Sequence, residues 1–443
     1  MSWLDENPQI QNIRAATPDL NGQARGKRIP ARFASKAEGG AVRLPLSALN
    51  LDMWGEDIDN SPLVFESGDP DGIMKPTERG FVPMPWLTTP AALLPLCAYH
   101  EDGAPFGGDP RHALANVVRR LESRGLTAVV ATELEFYLAD DSGSELQVPP
   151  SPGTSKRRLG SEILSLKALD IWDAFFTDLY DGCAAMDIPA DSAISEAGPG
   201  QFEINLMHQS DPLKAADDAW FFKLLVTGLA RKHGFAASFM AKPYPHASGN
   251  GMHTHFSLVD GEGRNIFDDG TERGSDALLH AIAGCLKALP GCGLVFAPHG
   301  PSYERMVPDA HAPTGICWAY ENRTAAIRVP GGSPKARRIE HRVAGGDVNP
   351  YLSLAAILGA AVNGLEDAVD PVAPITGNAY DIALPQIPAD WDSAIGAFES
   401  DHCVKRIFPD ELVRNMVMTK RQEMRKLADL ERSEILALYL DSV

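Results

Sequence analysis

The sequence predicts an α+β protein of two domains, and three observations lead there. Residues 1–105 break into short apolar stretches, such as 41–49 and 80–85, cut by Gly, Pro and Asp, the pattern of a small β-rich unit. Beyond them, four separated stretches alternate apolar and polar residues with period two, as half-buried strands do. Long segments with helical spacing lie between and after those strands, so helices and strands are not regularly interleaved. The boundary is expected near residue 106, giving domains 1–106 and 107–443.

Taken in order, residues 101–111 are rich in turn formers, and a helix follows. Asp109 is its expected N-cap and Pro110 its first residue, with Ala113, Val117 and Leu121 on one face. Residues 129–138 are β-branched and aromatic, with Glu133 and Glu135 on one face and Leu134 and Phe136 on the other. A Ser/Gly/Pro-rich loop (139–160) leads to an expected helix over 162–186, with Leu164, Leu169, Trp172, Phe176 and Leu179 as its apolar positions. Residues 196–206 place Glu196 before a Gly-Pro-Gly turn and Glu203 on the strand that follows. A second long helix is expected over about 211–234. In 248–257, small residues give way to a strand with His253, His255 and Ser257 on one face and Met252, Thr254 and Phe256 on the other. Residues 260–274 read as a charged, solvated hairpin. Residues 337–342 alternate again, with Arg338, Glu340 and Arg342 opposite Ile339 and His341, and 410–442 is expected to be helical. No internal repeat or low-complexity tract occurs.

The chain has 443 residues, 44% of them hydrophobic, and its mean hydropathy of −0.15 fits a large buried core in a soluble protein. A formal net charge of −19 disfavours nucleic acid and anionic membrane as partners. The six cysteines show no CxxC spacing and are expected to be reduced and buried. Residues 1–12 carry Asp5 and Glu6 without an apolar core, unlike a signal peptide, and no run reads as a membrane span, so a cytoplasmic protein is expected.

Each alternating stretch could be a half-solvated strand, and the HxH pair a solvated edge. Their acidic company argues for a shared site. Carboxylates gathered together repel by about 4 kcal/mol per close pair at an effective dielectric of 20. Divalent cations remove that cost, and carboxylates with one imidazole suit magnesium or manganese better than zinc.

In chain order, a start resembling NGxxxxP (residues 21–30), then ExE, ExxPGQxE, GxGMHxH, NRxxxxRxP and RxExR, resemble the glutamine synthetase family from Asp19 to the C-terminus. Residues 19–30 and 195–203 are most similar to its γ-glutamylputrescine and other γ-glutamylpolyamine synthetases. The resemblance implies a β-grasp N-terminal domain and a catalytic domain on a curved antiparallel sheet. It implies an ATP-dependent ligase that phosphorylates the γ-carboxylate of glutamate and passes the acyl group to a primary amine. Glu135, Glu196 and Glu203 would hold one cation, and Glu133, His253 and Glu340 another, with two to three Mg2+ or Mn2+ per site. His255, Ser257, Arg323, Arg328, Lys335 and Arg338 would serve the nucleotide and its phosphates. Glu135, Glu196, Gly249, Arg305 and Arg342 would serve glutamate. A homo-oligomer, a dodecamer of two hexameric rings, is implied as well.

Two departures concern the amine. The family's ammonium-binding glutamate after Arg305 is His311 here, and Ser248 replaces an asparagine. Asp52 matches an acid of the ammonium site, without the usual Gly-Ser-Ser after it, and Met53 and Trp54 are candidate walls for an amine's methylene chain. Asp52, His311 and Arg323 are therefore the candidate catalytic residues, with a polyamine as the leading nucleophile. Alternatives are ammonia or another small amine such as ethanolamine or a monoalkylamine, a non-catalytic family member, and a metal-dependent hydrolase. Tyr380 falls where some bacterial members are adenylylated.

Overall fold

The computed structural model describes residues 3–443 except 144, 145, 309, 311 and 441. Two sheets organise the chain, as the α+β reading anticipates. The first is six-stranded, from Asn12–Pro18 (β1), Ala24–Pro30 (β2), Val42–Pro45 (β3), Asp71–Pro76 (β4), Val82–Pro83 (β5) and Ala91–Tyr99 (β6), in the order β2-β1-β6-β4-β3 with β5 beside β6. β1 and β6 are parallel, and β6 is buried along nearly its whole length, as its unbroken apolar run requires of a central strand.

The second sheet is eight-stranded. It comprises Thr127–Ala139 (β7), Ala190–Ser195 (β8), Gln201–Gln209 (β9), Ala236–Ser238 (β10), Met252–Val259 (β11), Trp318–Tyr320 (β12), Ile327–Val329 (β13) and Ile339–His341 (β14). The order is β12-β13-β14-β11-β7-β9-β8, with β10 on β7, and only β12 and β13 run parallel. One face packs into the main core: Leu134, Phe136, Met252 and Phe256 are fully buried. The Phe136 ring lies 5.6 Å from Phe239 and 6.2 Å from Phe222, the latter on helix Pro212–Lys232. That helix starts where Asp211 accepts from the Leu213 and Lys214 amides and Pro212 occupies the first position. Helices Pro110–Glu122, Asp276–Phe296 and Pro350–Asp367 complete the layer. Asp109 and Asn349 cap the first and last, and Asn349 also donates to the Asp19 carbonyl (2.9 Å), tying the N-terminal unit to the larger sheet's helices.

Three expectations need correction. Helix Asp276–Phe296 is long and apolar enough to cross a membrane, which the sequence reading overlooked; here it is mostly buried, as a core helix. The 410–442 segment is two helices, Asp410–Leu427 and Arg432–Leu440. The expected 162–186 helix begins only at Leu166 and breaks at Trp172 into Leu166–Ile171 and Asp173–Ala185. Its start is displaced because β8 captures the chain. Leu164 N–H donates to the Ser195 carbonyl and Ser165 N–H to Ser195 Oγ (2.8 Å each). Leu164 is left in the left-handed region (φ 56°), 72% exposed rather than in the core.

This difference is measurable. Leu164→Gly should stabilise the protein by about 1 kcal/mol in denaturant unfolding, because a β-carbon in the left-handed region costs roughly 1–2 kcal/mol. A helix running through 164 would instead lose about 1 kcal/mol on the same substitution.

Candidate active site

The sheet register assembles the site. His253 on β11 stands opposite Glu133 on β7, and His255 opposite Glu340 on β14. On the other side of β7, Glu135 pairs with Glu203 on β9. Because side chains alternate, burying Met252, Thr254 and Phe256 in the core sends His253 and His255 to the opposite face, beside the glutamates. Glu196 follows β8 immediately, where β8 lies along Glu203's strand.

Charges divide this face into two halves. In one, Glu133 spans both histidines, with Oε1 2.9 Å from His255 Nε2 and Oε2 3.2 Å from His253 Nδ1. Burial pushes the Glu133 carboxyl up, but these hydrogen bonds and the imidazole charges outweigh it and hold the carboxyl well below the usual range. Glu340 is fully buried between Arg342 and Arg328 (2.7 Å to the latter). Burial again pushes upward, and Arg342, the two histidines and Arg328 together bring Glu340 down to about 2.

The other half lacks such partners. Glu135 accepts one hydrogen bond from Gly251 N–H (2.7 Å) and Glu203 one from Asn205 Nδ2 (3.2 Å). Burial and then the Glu133, Glu135 and Glu196 charges push Glu203 up to about 9. Burial and Glu196 push Glu135 up to about 7 against the pull of Arg305. Burial raises Glu196 too.

Ligand atoms of Glu133, His253 and Glu340 lie within 4.8 Å of one another, as do those of Glu135, Glu203 and His253. Two overlapping triads of hard oxygen donors with one shared imidazole fit a pair of divalent cations. The geometry thus joins His253 to both groups, and Glu196 stands beside the second triad rather than in it. A third cluster among the described residues, Cys97, Asp109 and His112, is structural: Asp109 accepts from the Ala98, Arg111 and His112 amides, and the His112 ring is hydrogen-bonded to the Ala98 carbonyl.

The other expected residues surround this face. Arg338 Nε donates to His255 Nδ1 (3.2 Å), and Ser257 continues the His255 side of β11. Lys335 is exposed in the short 3-10 turn Pro334–Ala336, and Arg323 is exposed on a loop. Arg305 donates to the Val343 carbonyl (2.7 Å) with its side chain against Gly249 and Gly251. A β-carbon at Gly249 would stand 2.5 Å from the Ala241 carbonyl and 2.8 Å from Arg305, so only glycine fits. Arg342 Nε donates to the Arg323 carbonyl (3.1 Å). Ser248 is half-buried next to Gly249.

Asp52 is not brought to this face. It is fully buried, and its carboxylate takes hydrogen bonds from the Trp54 and Glu56 amides, Gln422 and Lys426. Met53 is buried and Trp54 half-buried, with Lys426 Nζ 5.2 Å from the Trp54 ring. His311 lies outside the described residues. Tyr380 is half-buried, and its hydroxyl donates to the Ala312 carbonyl (3.1 Å).

Sequence reasoning assigned no role to Tyr137, Gln201 or Asn250, which hold the 248–251 loop. Tyr137 donates to the Ser248 carbonyl (2.7 Å), Gln201 to the Gly249 carbonyl and Asn250 Oδ1 (2.9 Å each), and Asn250 to the Met240 carbonyl (2.9 Å). Extending the Glu133–Glu135 alternation by one step reaches Tyr137, so that signal was available.

Fold and site together define an α+β protein whose larger sheet carries an acidic, arginine-rimmed face that calls for divalent cations. Residues 107–437 match the glutamine synthetase catalytic-domain family model. The chain is 38% identical to γ-glutamylputrescine synthetase PuuA of Escherichia coli (strain K12) over 411 residues, 90% of this chain and 85% of that protein. It is 31% identical to a glutamate–isopropylamine ligase of a Pseudomonas species, covering 99% and 96% of the two chains. The solved GmaS/ADP complex (conformation 1) superposes with a TM-score of 0.84 at 26% identity, over 99% of this chain and 98% of that one. The chain belongs to the glutamine synthetase family.

The raised carboxyls make stability depend on pH. Between the unfolded carboxyl value of about 4.3 and the folded values of about 7 and 9, the folded metal-free protein holds protons that the unfolded chain has lost. The contribution of these two groups to metal-free stability therefore falls as pH rises through that window. Cations need the ionised carboxylates, so the gain in melting temperature from added Mg2+ or Mn2+ should grow over the same range. Metal-free Glu203→Gln should be more stable than the wild type at pH 8. A metal-induced gain that does not vary with pH would contradict the assignment.

Proposed function

We propose that this chain is an ATP-dependent ligase joining the γ-carboxylate of glutamate to a primary amine, with putrescine or another polyamine as the amine. The carrying observation is the uncompensated cluster of Glu135, Glu196 and Glu203 beside His253, with Arg305, Arg328, Arg338 and Arg342 around it. Relatives named as a γ-glutamylputrescine synthetase and a glutamate–isopropylamine ligase support the reaction class.

In this reading Glu133, His253 and Glu340 hold one cation, and Glu135, Glu203 and the adjacent Glu196 the other, as Mg2+ or Mn2+. Bound there, such ions neutralise phosphate oxygens and favour in-line phosphoryl transfer. His255, Ser257, Lys335 and Arg338 face the nucleotide, and Arg323 and Arg328 its phosphates, where a guanidinium fork suits the transferred group. Arg305 and Arg342 hold glutamate, whose approach Gly249 leaves open. The γ-carboxylate oxygen attacks the terminal phosphorus of ATP, giving γ-glutamyl phosphate and ADP. The amine nitrogen then attacks the acyl carbon, the carbon–oxygen bond to phosphate breaks, and the amine proton goes to a base. His311 is the proposed base. Asp52 is the other acid proposed for the amine, and since Lys426 and Gln422 hold it within its own chain, that role requires an amine to displace Lys426. We place the domain boundary at 106/107 and infer a homo-oligomer, a dodecamer of two hexameric rings, in which the Asp52-bearing unit meets a neighbour's site.

The test is amide formation and phosphate release from ATP and glutamate with ammonia, methylamine, isopropylamine, ethanolamine, putrescine and spermidine. The polyamines should exceed ammonia by more than about tenfold in kcat/KM, roughly 1.4 kcal/mol. Glu135→Ala and Glu203→Ala should abolish turnover with every amine. A preference for ammonia would overturn the amine assignment, and wild-type turnover in either variant would overturn the cation sites.

A further inference from the structure

We propose that the strap formed by residues 375–387 is a positioning device for the active site. It fastens the loop carrying Arg323 to the 312–319 stretch, with Tyr380 as the side chain that closes the connection. The proposal rests on the ligase reading above for what the strap positions.

The strap is tied on two sides. Towards Arg323, Asn322 Nδ2 donates to the Gly377 carbonyl (2.6 Å), and Ala379 N–H donates to Thr324 Oγ1 (2.9 Å). Thr324 in turn gives both its N–H (3.0 Å) and its O–H (2.7 Å) to Asn322 Oδ1. Arg323 therefore sits between two residues that are both bonded to the strap. Towards the other stretch, the Tyr380 hydroxyl donates to the Ala312 carbonyl (3.1 Å). Backbone bonds extend this side: Ile316 N–H to the Pro385 carbonyl (2.8 Å) and Ile387 N–H to the Thr314 carbonyl (3.0 Å).

Packing makes these pieces one body. Cys317, Ala319, Ala325 and Ala379 form an apolar cluster separate from the two main cores, with Ile375 and Leu384 against it. Each of the three segments, 312–319, 322–326 and 375–387, contributes to it.

That body bears directly on the arginines. The Arg323 carbonyl accepts from Arg342 Nε (3.1 Å), and Arg342 pairs with buried Glu340. A shift of the 322–326 loop thus moves Arg323 and disturbs Arg342, the groups proposed for phosphate and glutamate. Displacements of about 1 Å in such groups cost up to about a hundredfold in rate. The proposed reaction assigns Tyr380 and Asn322 to none of its three substrates, so their proposed role is positioning.

The test uses the full-length protein with Tyr380→Phe and Asn322→Ala, singly and together. Amide hydrogen exchange in 312–319 and 322–326 should speed up at least about fivefold in each single variant. The KM values for glutamate and for ATP should each rise about fivefold and kcat fall about tenfold. Because one body is being loosened, the double variant should fall no further than the weaker single variant. Single effects that multiply in the double variant would overturn the proposal, as would unchanged exchange and kinetics. If exchange responds as expected but the wild type makes no γ-glutamyl amide from any amine, the strap is supported and the ligase reading is what falls.

Discussion

The structure depends on a repulsion that the protein leaves unresolved. Glu135, Glu196 and Glu203 converge on one sheet face, where each close pair of ionised carboxylates costs about 4 kcal/mol at an effective dielectric of 20. Without cations, burial and mutual repulsion push all three carboxyls up, Glu203 to about 9 and Glu135 to about 7. A few ångströms away the same sheet solves the same problem internally: Glu340 has two arginines and Glu133 two histidines. One half of the face is electrostatically complete and the other is not. His253 belongs to the ligand groups of both.

Antiparallel register is what makes this arrangement possible. Four adjacent strands, β14, β11, β7 and β9, each contribute an acidic or imidazole side chain to one patch, while their alternate residues enter an aromatic core. That core anchors the strands from behind, so the carboxylates cannot relax apart by moving backbone. The 248–251 loop is pinned by side chains rather than by a ladder, through Tyr137, Gln201 and Asn250. Rigid placement of like charges has no benefit without a ligand that needs it, which is why the cluster reads as a binding site rather than as packing.

Much of this was legible in the sequence. Period-two alternation placed Glu133, Glu135, His253 and Glu340 on the correct faces, because one buried face fixes the register of a strand. Asp109, the expected N-cap, marks a real helix start for the same local reason. What escaped depends on tertiary partners. Leu164 follows helical spacing, yet hydrogen bonds from the 164–165 amides to Ser195, thirty residues on, take it out of the helix. Asp52 matches a family acid in sequence, but only the fold brings Gln422 and Lys426 to it from 370 and 374 residues away. Helix Asp276–Phe296 has the composition of a membrane span and is a core helix because other helices cover it. The sharing of His253 between two ligand groups needs distances, which spacing does not supply.

The central claim is that this face is built around two neighbouring divalent cations, one held by Glu133, His253 and Glu340 and the other by Glu135, Glu196 and Glu203. Manganese titration of the metal-free protein, followed by electron paramagnetic resonance, tests it most directly. The account predicts two bound Mn2+ per chain with spin coupling between them, and loss of that coupling in His253→Ala. Binding of a single isolated ion, or coupling unaffected by His253→Ala, would contradict it.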